Sequence, residues 1–238
     1  MAKVLALIPA RSGSRGIPNK NFTPLGGDDP NDTPLGRAIL TCWTSGVVHQ
    51  LVVSTDRERA DPTLNMEDEG LFYLRRPPEL AQDDTPMIDV VKHALAEIPG
   101  PDDQIILLVQ PTQPLRQPNH LTAAIQLLEE TKADSVVSVV ELPLTHKPPF
   151  VCFIPRDGSL LPYYNSWAEM PTTRQAPHPA YIRDGTVYAF WRCTVTQYGT
   201  IYGKDVRPLI IDSSETCALD TMADWHEAER RLKARDAV

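Results

Sequence analysis

The stretch Val4–Asn21, VLALIPARSGSRGIPNKN, passes directly from an apolar run into a loop holding two glycines, two arginines and a lysine. An apolar run of about five residues ended by Pro9 has the length of a buried strand, not of a helix. In an open parallel sheet, the loop leaving the first strand is a usual place for phosphates. Gly13 and Gly16 would let backbone N–H groups close around an anion, with Arg11, Arg15 and Lys20 adding positive charge. The competing reading is a glycine-bearing surface turn with solvated cations, and the loop alone leaves both open. The motif is not a Walker A loop, because Lys20 does not directly follow a glycine and is followed by Asn21 where that motif has Ser or Thr. ATPase-type chemistry is therefore disfavoured.

Outward from this stretch, short apolar runs alternate with helical patterns. Val4–Ile8, Leu51–Ser54, Leu71–Leu74, Ile105–Val109 and Val136–Val140 read as strands. Leu35–Gly46, Met87–Ile98 and Leu121–Thr131 carry apolar residues at helical spacing, with Pro86 and Pro118 near helix starts, where a missing N–H costs little. Asp56–Gly70 should also cross over, although Pro62 weakens its helix. Nearly continuous apolar strands joined by helices predict a doubly wound, mostly parallel α/β sheet covered on both faces. From Pro143 to Pro179 the prolines are dense, and FVCFI, LLPYY and YIRDGTVYAFW read as hairpin strands. Residues 141–192 are thus expected to form a small β-rich insertion lobe within one domain spanning 1–238. The chain then returns through VRPLII and closes with a helix, Thr221–Arg235, bearing Trp225, Ala228 and Leu232 on one side.

Composition narrows the function. The chain has 238 residues, 42% hydrophobic and 23% charged, which suits a globular domain and argues against disorder. Its formal charge of −8 gives no general attraction for nucleic acid or an anionic membrane, so any anion must be held locally. Cys42, Cys152, Cys193 and Cys217 lie far apart without a C-x-x-C pair, which argues against a zinc site or a disulfide framework and fits reduced thiols in the cytoplasm. No apolar run reaches the ~18 residues of a membrane span, and no signal-peptide pattern precedes the first strand.

Six ordered segments over roughly residues 3–226 resemble the CMP-sugar-acid synthetases, especially the N-acylneuraminate cytidylyltransferase branch. They are IPARSGSRGIPNKN, VVSTD, RPPELAQDDTPMIDVVKHAL, VQPTQPLR, TRQAPHPAYIRDGTVYAF and LDTMADW. The resemblance implies a Rossmann-like nucleotidyltransferase fold that transfers CMP from CTP to the anomeric hydroxyl of a sialic-acid-like sugar acid and releases pyrophosphate. It also implies a divalent metal, Mg²⁺ or Mn²⁺, and a homodimer built through the insertion lobe. Nucleotide binding would fall to Ala10, Arg11, Ser12, Gly13, Ser14, Lys20, Asn21 and Asp84, with Arg11 and Lys20 catalytic. Asn21 would either hydrogen-bond the cytosine or hold the loop. Gln110, Arg116, Arg174, Gln175 and Arg183 would face the sugar acid, although Arg116 could instead brace the next helix.

Asp220 would hold the metal. Sialic-acid members carry Asp-x-Asp at this turn, whereas here Ala218 takes the first place, a single-acid arrangement that also resembles the 3-deoxy-octulosonate synthetases. Asp224 reads as part of a first helical turn, where negative charge suits the dipole. Asp184 replaces the family asparagine of R-x-N-G and turns a donor into an acceptor. Three readings follow: a sialic-type cytidylyltransferase, the same chemistry on an octulosonate or another anionic acceptor, and a nucleotide-binding relative with impaired catalysis.

Overall fold

Val4, Ala6 and Ile8 of strand β1 (Val4–Pro9) pack into one apolar layer and Leu5 and Leu7 into another, and each is at most 3% exposed. A strand buried on both faces belongs in the middle of a sheet. The computed structural model, which describes residues 3–14, 16–26, 29–58, 70–143, 146, 152–153, 161–162 and 179–236, places it there. Its partners are β2 (Gln50–Thr55) and β4 (Ile105–Leu108), both parallel. Next to β2 runs β3 (Leu71–Arg75), also parallel. Beyond β4 come β8 (Tyr181–Trp191), β5 (Ser135–Glu141) and β9 (Val206–Ile210), giving the seven-stranded order β3-β2-β1-β4-β8-β5-β9. Helices α1 (Pro34–Thr44) and α3 (Pro118–Thr131) cover one face, and α2 (Met87–Glu97) and α4 (Arg192–Tyr198) the other. The doubly wound, mostly parallel reading of the sequence therefore holds.

The expected lobe needs correction. YIRDGTVYAFW is not a hairpin strand of an insertion: it is β8, an interior strand antiparallel to both β4 and β5. Val187 and Ala189 lie in one core layer and Tyr188 and Phe190 in the other, so this half of the strand is stable only between covering helices. Its outer residues Tyr181, Ile182 and Arg183 are exposed. The hairpin read from FVCFI and LLPYY is present as the antiparallel pair β6 (Cys152–Phe153) and β7 (Leu161–Pro162). The crossover expected between Asp56 and Gly70 falls largely outside the described residues.

Helix α4 was not foreseen, because its two turns are too short to show a period. Arg192 at its start explains its position. The buried guanidinium donates to the carbonyls of Leu95 (3.0 Å) and Ile98 (2.8 Å) at the end of α2, and to the Gln104 side chain. Carbonyls with no partner inside the helix are thereby satisfied by a cation where the dipole is negative. A third apolar cluster lies beside the sheet. Ile17 and Leu25 from the loop after β1, Leu115 from the loop after β4, and Leu219 pack under Trp225, Ala228 and Leu232 of α5 (Met222–Asp236). Arg192→Met should cost about 2–3 kcal/mol, since the carbonyls it serves lose a charged donor. Urea unfolding measures this, and an unchanged midpoint would show that α4 is anchored by other contacts.

Candidate active site

The chain crosses outward from β1 to β2 and β3, then returns to place β4 on the other side of β1. Strand order thus reverses between β1 and β4, and a crevice opens beyond their carboxyl ends. A pocket of about 220 Å³ occupies this place, lined by Arg11, Gly13, Ser14, Lys20 and Asn21 from the first loop, Gln110 and Thr112 from the fourth, and Arg76. Residues read from two distant stretches of sequence therefore meet.

The first loop is held from three sides. Asp56, at the end of β2, accepts the Ser12 N–H (2.7 Å) and hydroxyl. The Asn21 amide donates to the Arg11 carbonyl (3.0 Å), while its buried Oδ1 has no hydrogen-bond partner among the described residues. On the third side, the Lys20 ammonium donates to the Leu219 carbonyl (2.6 Å), with the Asp220 carboxylate 3.9 Å away. Burial lowers the Lys20 pKa from its ordinary 10.5, partly opposed by Asp220. Gly16 is needed for this docking, because a Cβ there would overlap the Asp220 carbonyl oxygen. The sequence assigned Gly16 to anion contact. Its lack of a side chain instead lets the two ends of the chain touch, and Gly13, with open space around it, is the glycine that borders the pocket.

Several expected residues stand elsewhere. Ser12 spends both its N–H and its hydroxyl on Asp56, so it orders the loop instead of offering donors to a phosphate. Ala10 is fully buried and extends β1 through an N–H to the Ser54 carbonyl (2.9 Å). Asp84 is exposed and outside the pocket, and it is the neighbouring Asp83 that pairs with Arg11 (2.5 Å). Arg116 braces neither the sugar acid nor the next helix: its buried guanidinium donates to the carbonyls of Thr186 on β8 and of Gln110 in its own loop. Arg183 is exposed and lies against Tyr202, away from the pocket. Arg174 and Gln175 lie outside the described residues. Asp224 accepts from the Thr221 N–H (2.7 Å) and hydroxyl, which hold its carboxyl below the usual range and fix the first turn of α5.

The sequence reading missed Arg76. It is 4% exposed and donates to the Ser54 carbonyl (2.8 Å) and hydroxyl (3.1 Å); burial pushes it down to about 10, still charged near neutrality. Its signal was the pair Arg75-Arg76 at a strand end, where alternation must turn one side chain inward. Gly185, at φ +79°, also serves the site, because a Cβ there would come within 2.7 Å of the Gln110 side-chain oxygen.

Residues 5–191 match the family model described as cytidylyltransferase. The chain belongs to this family. It is 29% identical to a CMP-N,N'-diacetyllegionaminic acid synthase of Legionella pneumophila over 97% of each chain. With an N-acylneuraminate cytidylyltransferase of Escherichia coli it shares 37% identity over 58% of its length, a match that spans only 31% of that longer relative. Among solved structures, a CMP:2-keto-3-deoxy-manno-octonic acid synthetase complexed with CTP superimposes with a TM-score of 0.69, covering 99% of this chain and all of the other at 16% identity. A 4-diphosphocytidyl-2C-methyl-D-erythritol synthase of Anaerococcus prevotii gives 0.65 over 98% and 96% at 15% identity. These two show a shared fold.

The two loop glycines of this cytidylyltransferase should respond differently to substitution. Gly16→Ala is expected to lose about 1–3 kcal/mol through overpacking, whereas Gly13→Ala stays within about 0.5 kcal/mol of the parent. Thermal unfolding ranks them, and equal midpoints would contradict the docking of Gly16 on Asp220.

Proposed function

We propose that this enzyme transfers CMP from CTP to the anomeric hydroxyl of a nonulosonic, sialic-type sugar acid and releases pyrophosphate. The observation that carries this reading is the convergence of Arg11, Lys20 and Arg76 on one pocket at the strand-order reversal of an acidic chain. Nucleotidyl transfer asks chiefly for a triphosphate held in line and for charge placed where the leaving pyrophosphate develops it. Arg76 and Lys20 are held mainly by carbonyl or hydroxyl oxygens, so their charges remain available to phosphate. Lys20, a half-buried ammonium at the mouth of the C-terminal turn, is assigned to the charge that grows in the transition state. The unpartnered Oδ1 of Asn21 is assigned to the amino group of the cytosine. Gln110 is assigned to the sugar acid, and the acceptor class rests on the named relatives that match over most of the chain.

The C-terminal turn fits a magnesium or manganese ion held through one acid. Asp220 is 79% exposed and free of Thr221, whereas Asp224 is committed to the helix cap. Mg²⁺ commonly takes one or two carboxylates and completes its shell with phosphate oxygens and water. When bound by Asp220 it would neutralise triphosphate charge. Ala218 leaves the turn without a second acid beside it. We further assign a homodimer, supported by the exposed apolar side chains Tyr181, Ile182 and Ile210 on the outer sheet. A cytoplasmic location is supported by free Cys42, Cys193 and Cys217.

Pyrophosphate release from CTP and Mg²⁺ with a panel of sugar acids tests the reaction: turnover with a sialic-type acid is expected, turnover with 3-deoxy-octulosonate alone moves the acceptor, and CTP binding without turnover refutes the catalytic reading. Lys20→Ala is expected to lower turnover about 10²–10³-fold, the worth of a preorganised donor. Because the protonated amine is the active form and burial lowers its pKa, activity should fall as pH rises, on a limb lying below the ordinary lysine value of 10.5. In Lys20→Ala that limb should vanish, and a limb that persists assigns the titration to another group.

A further inference from the structure

We propose a second anion site, for inorganic phosphate or pyrophosphate, on the far side of the loop that follows β4. That loop separates two pockets. Gln110 and Thr112 line the catalytic one, while Arg116 and Gln117 line another of about 260 Å³, together with Arg37, Leu40, Pro118 and Arg235. Nothing in the proposed transfer reaction uses this second pocket.

Its electrostatics are unusual for an acidic protein. Arg116 is 4% exposed, and its bonded partners are backbone carbonyls, with no carboxylate paired to it among the described residues. The acid that acts on it, Asp184, has its own oxygens on the N–H and hydroxyl of Thr186. Arg235, exposed on the last turn of α5, adds a second cation whose only bonded partner among the described residues is the Leu115 carbonyl (3.5 Å). Arg37 is matched by Asp32 (2.7 Å), and Glu215, near the opening of α3, is held by Gln117 (2.8 Å) and His120. No acid is among the residues that line this pocket, whereas Arg116 and Arg235 are, and it opens at the first turn of a 14-residue helix, where the dipole adds to their charge. A buried cation without an acid is costly unless an anion completes it.

Calorimetric titration of the full chain with sodium phosphate and with sodium pyrophosphate, in metal-free buffer, tests this. The parent background is Lys20→Ala, which weakens anion binding in the catalytic cleft. A single equivalent of anion should still bind in the second pocket, and excess CTP should not displace it. Adding Leu40→Glu, which sets a carboxylate on the rim, should weaken binding about tenfold, with Arg235→Ala acting in the same direction. Both positions are exposed, so either variant serves if the other fails to fold. Tighter binding of pyrophosphate than of phosphate names the reaction product as the ligand, and the reverse names free phosphate; either supports the site. Absence of binding in the parent, displacement by CTP, or titrations unchanged by both substitutions overturns it, and none of these outcomes bears on CMP transfer itself.

Discussion

Lys20 and Leu219 are 199 positions apart, yet the ammonium of one sits 2.6 Å from the carbonyl of the other. The geometry of the pocket at the strand-order reversal depends on this meeting. It brings the loop after the first strand against the C-terminal turn, places Asp220 beside Lys20, and leaves Gly16 no room for a side chain. The force that brings the ends together is apolar. Trp225, Ala228 and Leu232 on α5 bury Ile17, Leu25 and Leu115, so the helix folds over both loops that border the pocket. Lys20 then loses water as the cluster forms, which explains why its pKa falls.

A second constraint follows from charge. The chain carries eight more acids than bases, yet Lys20, Arg76 and Arg116 are each fixed mainly by backbone carbonyls or a serine hydroxyl. Carbonyl dipoles orient a cation without cancelling it, whereas a carboxylate would compete with phosphate for the same donors. Arg11 differs, being paired with Asp83, so its release from that acid accompanies any grip on substrate. The sheet thus carries a few oriented positive charges on its carboxyl edge, which attract an anion locally in a chain whose net charge is negative.

Much of the fold was legible because its signals are local. Apolar runs of four or five residues separated by helical spacing mark β1, β2, β3, β4 and β5, and Pro86 and Pro118 stand at the openings of α2 and α3. Strand β8 was misplaced because period and composition cannot tell an interior antiparallel strand from a hairpin strand in a proline-rich region. Helix α4 was missed because its position is decided by Arg192 reaching back to carbonyls almost a hundred residues earlier. Arg11, Gly13, Ser14, Lys20, Asn21 and Gln110, read from two separate motifs, line one pocket. Ser12 and Arg116 had been given ligand-facing roles, but their nearest partners, Asp56 and Thr186, lie far away in sequence and took their donors first.

The sequence by itself determined the layered sheet, the glycine-bearing cationic loop at its edge and the family, since each rests on residues close along the chain. Only the tertiary structure decided which cations face the pocket and which glycine is steric. Those outcomes depend on which donors and carbonyls meet once strands β1 and β4 are neighbours and α5 has closed over them. A hydrogen bond between residues 70 or 199 positions apart leaves no trace in local pattern. It exists only because the apolar clusters have already fixed the distance at which the two groups stand.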